Sequence, residues 1–324
     1  MRIFVTGATG FIGSATAQEL LDAGHEVVGL ARSDAGAAAL ERAGVAVHRG
    51  DLEDLGSLRS AAAAADGVIH TAFVHDFSQL ENAGRIDLRA IEAMGAELEG
   101  SDRPLVITSG IGLLAPGRVA TEEDRPAPES RASHRSASEV TAVALAERGV
   151  RSSVVRFPPT VHGLGDHGFV PVLIGVAREQ GVSRYAGDGA NRWSAVHRRD
   201  AARLFRLAVE SAPAGSVLHG VAEEGVPTRD IAEVIGRHLG VPTASIAPEE
   251  APEHFGWIGG FFAADVPASS ALTASASAGS PWRPASSPTS RRATTSRPSS
   301  APPDRVGIGG EESFARGMVL YPGT

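Results

Sequence analysis

Short apolar runs alternate with amphipathic stretches along most of this 324-residue chain. Residues 3–5 form the first apolar run, Gly7 interrupts it almost at once, and a helical pattern of apolar positions follows over residues 14–23. Residues 24–30 then read as a second buried strand. The pattern predicts a strand, a tight turn, a helix and a second strand within about thirty residues.

The same alternation continues towards the C-terminus. Further strands are predicted over residues 45–48, 68–72, 105–109, 154–156 and 217–221. Residues 228–239 form an amphipathic helix that starts at Thr228 and stops before Gly240. Strands that alternate with helices pair in parallel through right-handed crossovers. The predicted fold class is therefore α/β, with a doubly wound parallel sheet and a smaller C-terminal lobe.

Three glycines, Gly7, Gly10 and Gly13, follow the first strand at three-residue spacing. Gly7 permits a turn that a Cβ would obstruct, Gly10 lets backbone approach a pyrophosphate, and Gly13 lets the helix and strand pack closely. The helix N-terminus then offers free N–H groups to phosphates. Placed between a strand and a helix, this spacing predicts a dinucleotide site.

The sequence Val-Thr-Gly-Ala-Thr-Gly-Phe-Ile-Gly at residues 5–13 resembles the extended and atypical short-chain dehydrogenase/reductase superfamily, which includes nucleotide-sugar epimerases and dehydratases. The resemblance covers about residues 1–265. It implies a Rossmann domain over residues 1–165 that continues through 195–222, and a substrate lobe over 166–194 and 223–268. It also implies an NAD(P) cofactor and a homodimer. The cofactor contacts that it implies are Gly7, Thr9, Gly10, Phe11, Ile12, Gly13, Asp51, Leu52, Thr71, Ala72, Thr108, Pro158, Pro159 and Val161.

Arg32 and Ser33, at the end of the second strand, indicate which dinucleotide is bound. An Asp or Glu there binds the ribose hydroxyls of NAD, whereas an Arg suits the 2′-phosphate of NADP. A guanidinium binds phosphate through two hydrogen bonds, and the Ser33 hydroxyl can add another. We therefore expect NADP, with NAD as the alternative cofactor and a surface arginine as the alternative reading.

The chain contains no lysine, because all of its 30 basic residues are arginine. The superfamily's usual Tyr-x-x-x-Lys pair is therefore absent, and the two tyrosines, Tyr185 and Tyr321, lie far from the expected segment. If Glu139 aligns with the glutamate often found four residues after that lysine, Arg135 replaces the lysine and Arg131 the tyrosine. Arg135 then holds a ribose or phosphate, since arginine is a poor proton donor.

Two other residues are the catalytic candidates that the resemblance implies. Ser109 is the nearest match to the hydroxyl that polarises a substrate carbonyl, although alignment of Thr108-Ser109-Gly110 puts Gly110 in the catalytic place. His162 replaces the tyrosine of the superfamily's Val-Tyr-Gly loop, and a pKa near 6.5 would permit acid–base work. A serine bonded to local backbone and a packed histidine are the structural alternatives.

Asn191, Arg192 and Trp193 precede the Val-His-x-x-Asp element at which the chain returns to the sheet, so they are candidate substrate contacts. The alternative for Trp193 is a place in the core. His75, His134 and His197 are weaker acid–base candidates, and the histidine spacing does not predict a metal site.

Composition excludes several other classes of function. The chain has no cysteine, which rules out disulfides and thiolate chemistry, and its net charge of −8 argues against general nucleic-acid binding. Its apolar runs fall short of the roughly eighteen residues of a membrane span, and Met1-Arg2 leads directly into the first strand without a signal peptide. We expect a cytoplasmic protein with a small-molecule substrate.

Composition changes abruptly in the last segment, residues 269–324, which is rich in Ala, Ser, Thr, Pro, Gly and Arg. Such a sequence buries too little apolar surface to offset its ordering entropy, so we expect a disordered tail. A relative would be expected to continue Ala-Leu-Thr with a peptide such as Arg-Glu-Arg-Leu-Gly-Trp. GC-rich codons for this Thr and the six residues after it, read with one base lost, give Thr-Ala-Ser-Ala-Ser-Ala-Gly, the peptide at residues 273–279. We therefore predict a frameshift near Thr273, which would be refuted by resequencing the gene and finding an uninterrupted frame among close relatives with the same tail.

Together these features predict an NAD(P)-dependent oxidoreductase that transfers hydride between nicotinamide and a carbonyl or alcohol. One alternative is a non-catalytic NADP(H)-binding sensor, which the missing Tyr and Lys would allow. The other is a nucleotide-sugar epimerase or dehydratase, which uses the same hydride step transiently.

Overall fold

The computed structural model describes residues 1–75, 79–127 and 133–276. The strands are β1 (Arg2–Thr6), β2 (Glu26–Ala31), β3 (Ala46–Arg49), β4 (Gly67–His70), β5 (Pro104–Gly110), β6 (Arg151–Phe157), β7 (Thr160–His162), β8 (Ser183–Ala186), β9 (Arg192–His197), β10 (Ser216–His219), β11 (Glu223–Pro227) and β12 (Thr243–Ile246). The helices are α1 (Phe11–Asp22), α2 (Asp34–Arg42), α3 (Leu55–Ala63), α4 (Leu80–Leu98), α5 (Ser136–Ala144), α6 (Phe169–Gln180), α7 (Arg198–Ser211), α8 (Thr228–Leu239), α9 (Ala251–Phe255), α10 (Gly259–Phe262) and α11 (Ala271–Ala276).

A seven-stranded parallel sheet in the order β10-β6-β5-β4-β1-β2-β3 forms the centre of the molecule. The chain runs outward from β1 to β3 and then returns to the other side of β1 with β4. This reversal creates a crevice at the carboxyl ends of β1 and β4, where ligands of doubly wound sheets bind. The prediction of a doubly wound parallel sheet is confirmed.

Alternate residues of the strands supply two separate hydrophobic cores. In β1, Ile3 and Val5 pack with α1, α2 and α7 on one face of the sheet, whereas Phe4 packs with α3, α4 and α5 on the other. Burial on both faces explains why the strands appear in the sequence as continuous apolar runs. The two layers of helices fix the carboxyl ends of the strands relative to one another.

A smaller lobe contributes a third core. It contains the mixed sheet β11-β9-β7, the pair β12-β8 and the helices α6, α8, α9 and α10. The α8 helix has the predicted bounds, because Gly240 adopts a left-handed conformation (φ 67°) that ends the helix. The chain also contributes β10 to the large sheet, so it crosses between the two parts more than once.

Residues 269–276 lie within the fold, so the ordered chain extends beyond the predicted boundary at 268. Ser269 donates a backbone hydrogen bond to Ala120, Ser270 Oγ donates to the Val221 carbonyl, and Thr273 is 1% exposed. Small hydroxyl side chains satisfy buried polar groups here, a contribution that an argument from apolar area alone omits. The tail prediction from residue 277 onward lies outside the described residues.

Candidate dinucleotide and active site

The turn after β1 has the geometry that its glycines were expected to permit. Gly7 has φ 70°, and the Gly10 amide donates to the Gly7 carbonyl at 2.8 Å. A Cβ on Gly13 would lie 2.1 Å from the Gly7 oxygen, and a Cβ on Gly7 would lie 2.7 Å from Thr71 Oγ1. Side chains at either position would close the gap between β1, α1 and the end of β4.

The N-terminus of α1 is open towards this crevice. Gly10 is the N-cap residue and supplies no side-chain cap, Thr9 is exposed, and Phe11 and Ile12 are half-buried. Uncapped amides at a helix start attract anions. The Arg198 guanidinium lies 5.0 Å from the centre of the Phe11 ring, which adds positive charge nearby. These residues fit a pyrophosphate.

The carboxyl ends of β4 and β5 are held by threonine hydroxyls. Thr71 Oγ1 donates to the Thr6 carbonyl at 2.7 Å, and Thr108 Oγ1 donates to the His70 carbonyl at 2.9 Å. The Ala72 amide donates to Thr6 Oγ1 at 3.3 Å. Thr71, Ala72 and Thr108 therefore shape the floor of the crevice, while their hydrogen bonds in this structure go to the protein itself.

The residues expected at the adenosine end also bond to local backbone. Ser33 Oγ accepts from the Gly36 amide at 3.1 Å as the N-cap of α2, while Arg32 is exposed. Asp51 Oδ1 accepts from two backbone amides, those of Glu53 and Asp54, and Leu52 packs partly against the core. Arg32 and Asp51 are both exposed, and Arg32 is the basic residue of this group.

Ser109 at the end of β5 contacts a buried charge. Its hydroxyl donates a 2.6 Å hydrogen bond to Oε2 of Glu139 on α5. Glu139 is in turn bound by Arg156 on β6, whose Nε lies 3.2 Å from each carboxylate oxygen. The parallel register pairs Ser109 with Arg156 on neighbouring strands, which places all three side chains on one face of the sheet.

Further contacts hold Arg156 in place, and it is 1% exposed. Its Nη2 donates to the Asp124 carbonyl at 2.8 Å, and its Nη1 lies 3.2 Å from Nε2 of His219 on β10. Burial lowers the pKa of His219, and Nδ1 of this ring lies 2.8 Å from the Ser269 carbonyl. The carboxylate of Glu139 therefore has a fixed cation beside it.

Glu139 also borders a cavity of about 500 Å³ on the side of α5 and β10. The cavity is lined by Arg125, Pro126, Ser133, Ser136, Glu139, Val140, Val143 and Val217. The buried carboxylate thus lies between the strand-end hydroxyl of Ser109 and an open volume.

Arg135 bonds to the protein, whereas the resemblance implied that it would hold a ribose. Its Nη2 donates to the Thr108 carbonyl at 2.9 Å, and its guanidinium lies 4.2 Å from the centre of the Phe73 ring. The same nitrogen is 4.0 Å from Oδ2 of Asp87. The chain before α5 packs closely on α4, because a Cβ on Gly84 would lie 2.1 Å from the His134 carbonyl.

Asp87 on α4 is a second buried carboxylate in this region. Its Oδ1 accepts from His70 Nε2 at 3.1 Å, and His70 Nδ1 lies 2.7 Å from Thr6 Oγ1. Burial by itself would raise the pKa of Asp87, but the hydrogen bond from His70 and the charge of Arg135 hold it below its ordinary value. Asp87 therefore stays ionised and neutralises Arg135.

His162 on β7 is 7% exposed and meets His197 edge to face, with ring centres 5.4 Å apart. Burial and the neighbouring imidazole of His197 lower the pKa of His162 to about 4. The pKa of His162 therefore lies well below the ordinary imidazole value near 6.5, and His162 is neutral at pH 7. In the same loop Pro158 is buried, and Pro159 and Val161 are half-buried.

The three proposed substrate contacts have structural partners. Trp193 is 1% exposed in the core of the lobe and donates to the Phe261 carbonyl, so the core alternative describes it. Asn191 Nδ2 donates to the carbonyls of Phe262 and Ala264. Arg192 forms an ion pair with Asp265 at 2.8 Å. This segment fastens residues 261–266 to β9.

Sequence reasoning did not assign a chemical role to Glu139 or predict the buried charges of Asp87 and Arg156. Arg156 interrupts the apolar run of β6, and Asp87 lies among the apolar positions of α4. A charged residue among buried apolar positions normally has a polar or charged partner in the core. This pattern could have identified both residues from the sequence. Arg131 and Tyr321 lie outside the described residues, and Tyr185 is on β8 in the smaller lobe.

Among the described residues, no group of three or more His, Cys, Asp or Glu is arranged to hold a metal ion. In the same part of the chain, no helix has the length and apolar character needed to cross a bilayer.

The sequence of this chain is similar to those of several known proteins. An uncharacterized protein of Schizosaccharomyces pombe is 54% identical over 275 residues, which cover 84% of this chain and 92% of that protein. The 2-alkyl-3-oxoalkanoate reductase of Stenotrophomonas maltophilia is 30% identical over 259 residues, covering 75% of this chain and 77% of the reductase.

A solved structure, that of MoeE5 in complex with UDP-glucose and NAD, superposes with a TM-score of 0.63 at 25% identity. The superposition covers 76% of this chain and 85% of MoeE5. The model of the NAD dependent epimerase/dehydratase family matches residues 3–219, a range that runs from β1 to the end of β10 and so covers the parallel sheet apart from Arg2. The chain belongs to the NAD dependent epimerase/dehydratase family.

Proposed function

We propose that this protein is an NADP-dependent oxidoreductase that interconverts a small alcohol and the corresponding ketone or aldehyde. The observation that carries the proposal is the 2.6 Å hydrogen bond from Ser109 to the buried carboxylate of Glu139. It places a proton acceptor behind a hydroxyl at the carboxyl end of β5, where ligands of this fold bind.

The two residues form a short proton relay. A substrate alcohol that donates to Ser109 Oγ can pass its proton to the serine while the serine proton moves to Glu139. The carbon–oxygen double bond forms as the substrate carbon loses hydride, and the reverse sequence returns the proton to the substrate oxygen. Arg156 holds Glu139 in position and compensates its charge.

The glycine turn and the start of α1 would hold the pyrophosphate of the dinucleotide, and Arg32 would contact its 2′-phosphate. When bound, this cofactor accepts or supplies the hydride at C4 of its nicotinamide. Neutral His162 would contribute a wall of the pocket and a hydrogen bond, because its lowered pKa of about 4 leaves little imidazolium at pH 7.

An epimerase or dehydratase is less well supported by this set of residues. Such an enzyme must remove a proton from a sugar and return it within one catalytic cycle, and the Tyr-x-x-x-Lys pair with which the superfamily usually does this is absent. The Stenotrophomonas relative, whose name describes a reductase of an oxo acid, supports a simple carbonyl substrate.

The test is turnover with NADPH or NADP⁺ and a panel of ketones, aldehydes, secondary alcohols and nucleotide sugars. Deuterium at nicotinamide C4 should appear on the carbon of the alcohol product. Ser109→Ala should lower turnover of the substrate that reacts by about 10²-fold or more. Ser60→Ala, which changes an exposed serine on α3, should leave turnover unchanged.

A non-catalytic dinucleotide sensor is the second candidate, favoured by the internal engagement of Arg135 with Thr108, Phe73 and Asp87. Arg135, which stands at the position expected for the superfamily's lysine, is therefore held by contacts within the protein. Tight NADPH binding without turnover on any member of the panel would favour the sensor and contradict the enzyme.

A further inference from the structure

The ends of β2 and β3 bring a second arginine beside Arg32. The parallel register pairs Ala31, the last residue of β2, with Arg49, the last residue of β3. The Gly50 amide also donates to the Ala31 carbonyl at 3.3 Å. Neighbouring strands lie about 4.8 Å apart, so the backbone of Arg49 lies at the same edge of the sheet as that of Arg32, the residue that follows β2.

In this structure the guanidinium of Arg49 is paired with Asp34, the first residue of α2. The Arg49 side chain is 52% exposed and that of Asp34 is 97% exposed. An ion pair this open to water contributes little, at most about 1 kcal/mol. A ligand with a greater negative charge than one carboxylate can therefore take Arg49 from Asp34.

The first turn of α2 also lies close to the glycine turn. A Cβ on Gly36 would be 3.7 Å from the Thr9 methyl carbon and 3.9 Å from the Ala31 Cβ. Ser33 Oγ accepts from the Gly36 amide, which leaves its own hydroxyl proton for another acceptor. Arg32, Ser33 and Arg49 thus surround the place where the adenosine ribose of a dinucleotide would lie.

We propose that Arg49 is the second arginine of a 2′-phosphate site and that Asp34 holds its guanidinium until NADP binds. This inference rests on the proposed function, which requires a dinucleotide in the crevice. A phosphate monoester carries nearly two negative charges at pH 7, so two guanidinium groups match it better than Arg32 alone. Asp34 stays hydrated after it releases Arg49, because its side chain is almost fully exposed.

The test is calorimetric titration of the full chain with NADPH and NADH. We expect the wild type to bind NADPH more tightly than NADH. Arg49→Gln should weaken the affinity for NADPH by about tenfold and change the affinity for NADH by less than about twofold. Arg42→Gln is the matched control, since Arg42 is exposed in the last turn of α2, the helix that begins at Asp34. Adenosine 2′,5′-bisphosphate and ADP, titrated in the same way, should show the same contrast without a nicotinamide.

The outcomes separate this inference from the proposed function. If the wild type prefers NADPH but Arg49→Gln changes neither ligand, or weakens both equally, the assignment of Arg49 is wrong and the proposed function stands. Equal wild-type affinity for the two dinucleotides overturns the 2′-phosphate site and, with it, the NADP preference stated in the proposed function. If the wild type binds neither dinucleotide, the proposed function itself fails.

Discussion

Ser109 and Glu139 are joined by a 2.6 Å hydrogen bond in which the serine hydroxyl donates and the carboxylate accepts. Both residues are buried, at 4% and 2% exposure, and Glu139 contacts Arg156 through its other hydrogen bonds. The direction of this bond leaves the lone pairs of Ser109 Oγ for a substrate donor. The pair is therefore better arranged to accept a proton from an alcohol than to polarise a carbonyl while the carboxylate is ionised.

Ser109→Ala should lower kcat by about 10²-fold or more and leave KM for NADPH nearly unchanged, since it removes the relay and spares the glycine turn. Steady-state kinetics on the substrate found by the panel measures both constants. An equal loss from Ser60→Ala, or an unchanged kcat in Ser109→Ala, would remove the relay from the mechanism.

Glu139→Gln should destabilise the fold by about 3–5 kcal/mol, because it leaves the buried charge of Arg156 without a counterion. Urea denaturation at pH 7 measures the change in free energy of unfolding. Glu99→Gln breaks the exposed pair with Arg148 and should cost less than about 1 kcal/mol. Similar losses in both variants would show that Glu139 and Arg156 do not form a strong buried pair.

Gly10→Glu should abolish binding of both pyridine dinucleotides while the protein remains folded. A Cβ on Gly10 would lie 3.1 Å from the Gly7 oxygen, a contact that a small shift relieves, but the new carboxylate would face the phosphates at the start of α1. Calorimetry measures binding and thermal denaturation measures folding. Gly175→Glu in α6, where a Cβ would meet open space, is the control that should bind normally.

The central strands of the sheet were predictable from sequence because each has a short apolar run that both helical layers cover, whereas the edge strand β3 is only partly buried. The predicted fourth strand, residues 68–72, ends at His70 in the structure, since the hydroxyl of Thr71 and the amide of Ala72 turn to bond to Thr6. The end of a strand depends on hydrogen bonds to segments that are distant in sequence, and the periodicity of apolar residues does not show them.

The candidate site was only partly predictable. The glycine turn follows from spacing, because one helix and one strand determine it. Arg135 and Trp193 depended on which neighbours the fold brings to them: Asp87 and Phe73 contact Arg135, while Phe261 and Phe262 contact Trp193. Their partners are far away in sequence, so a motif match gave the position of each residue but not its environment.

The low pKa of His162 should make the protein less stable in mild acid. The unfolded chain protonates this imidazole as pH falls below about 6.5, whereas the folded protein does so only near pH 4. The contribution of neutral His162 to the free energy of unfolding is therefore complete above pH 6.5. It is lost as the pH falls towards 4, and the loss reaches up to about 3 kcal/mol. Urea denaturation at pH 7 and pH 4.5 measures how much free energy of unfolding each protein loses between these two pH values. The loss in His162→Asn should be smaller than that in the wild type by up to about 3 kcal/mol. Parallel pH dependence in the two proteins would contradict the shifted pKa.

Glu223 on β11 should have the opposite dependence on pH. Burial, together with the nearby charge of Asp200, raises its pKa to about 7, and its Oε2 has no hydrogen-bond partner in the described part of the chain. The unfolded chain loses this proton near pH 4.5, so the folded state is progressively penalised as pH rises from 4.5 to 7 and carries the full cost above pH 7.

Glu223→Gln should therefore raise the free energy of unfolding by about 1–3 kcal/mol at pH 8 and change it little at pH 4.5. Glu224→Gln, at the exposed neighbouring position on the same strand, should have little effect at either pH. A Glu223→Gln protein that is less stable than the wild type at pH 8 would mean that the ionised carboxylate is stabilised by its surroundings. In that case burial and the charge of Asp200 would not raise the pKa of Glu223 in the folded protein.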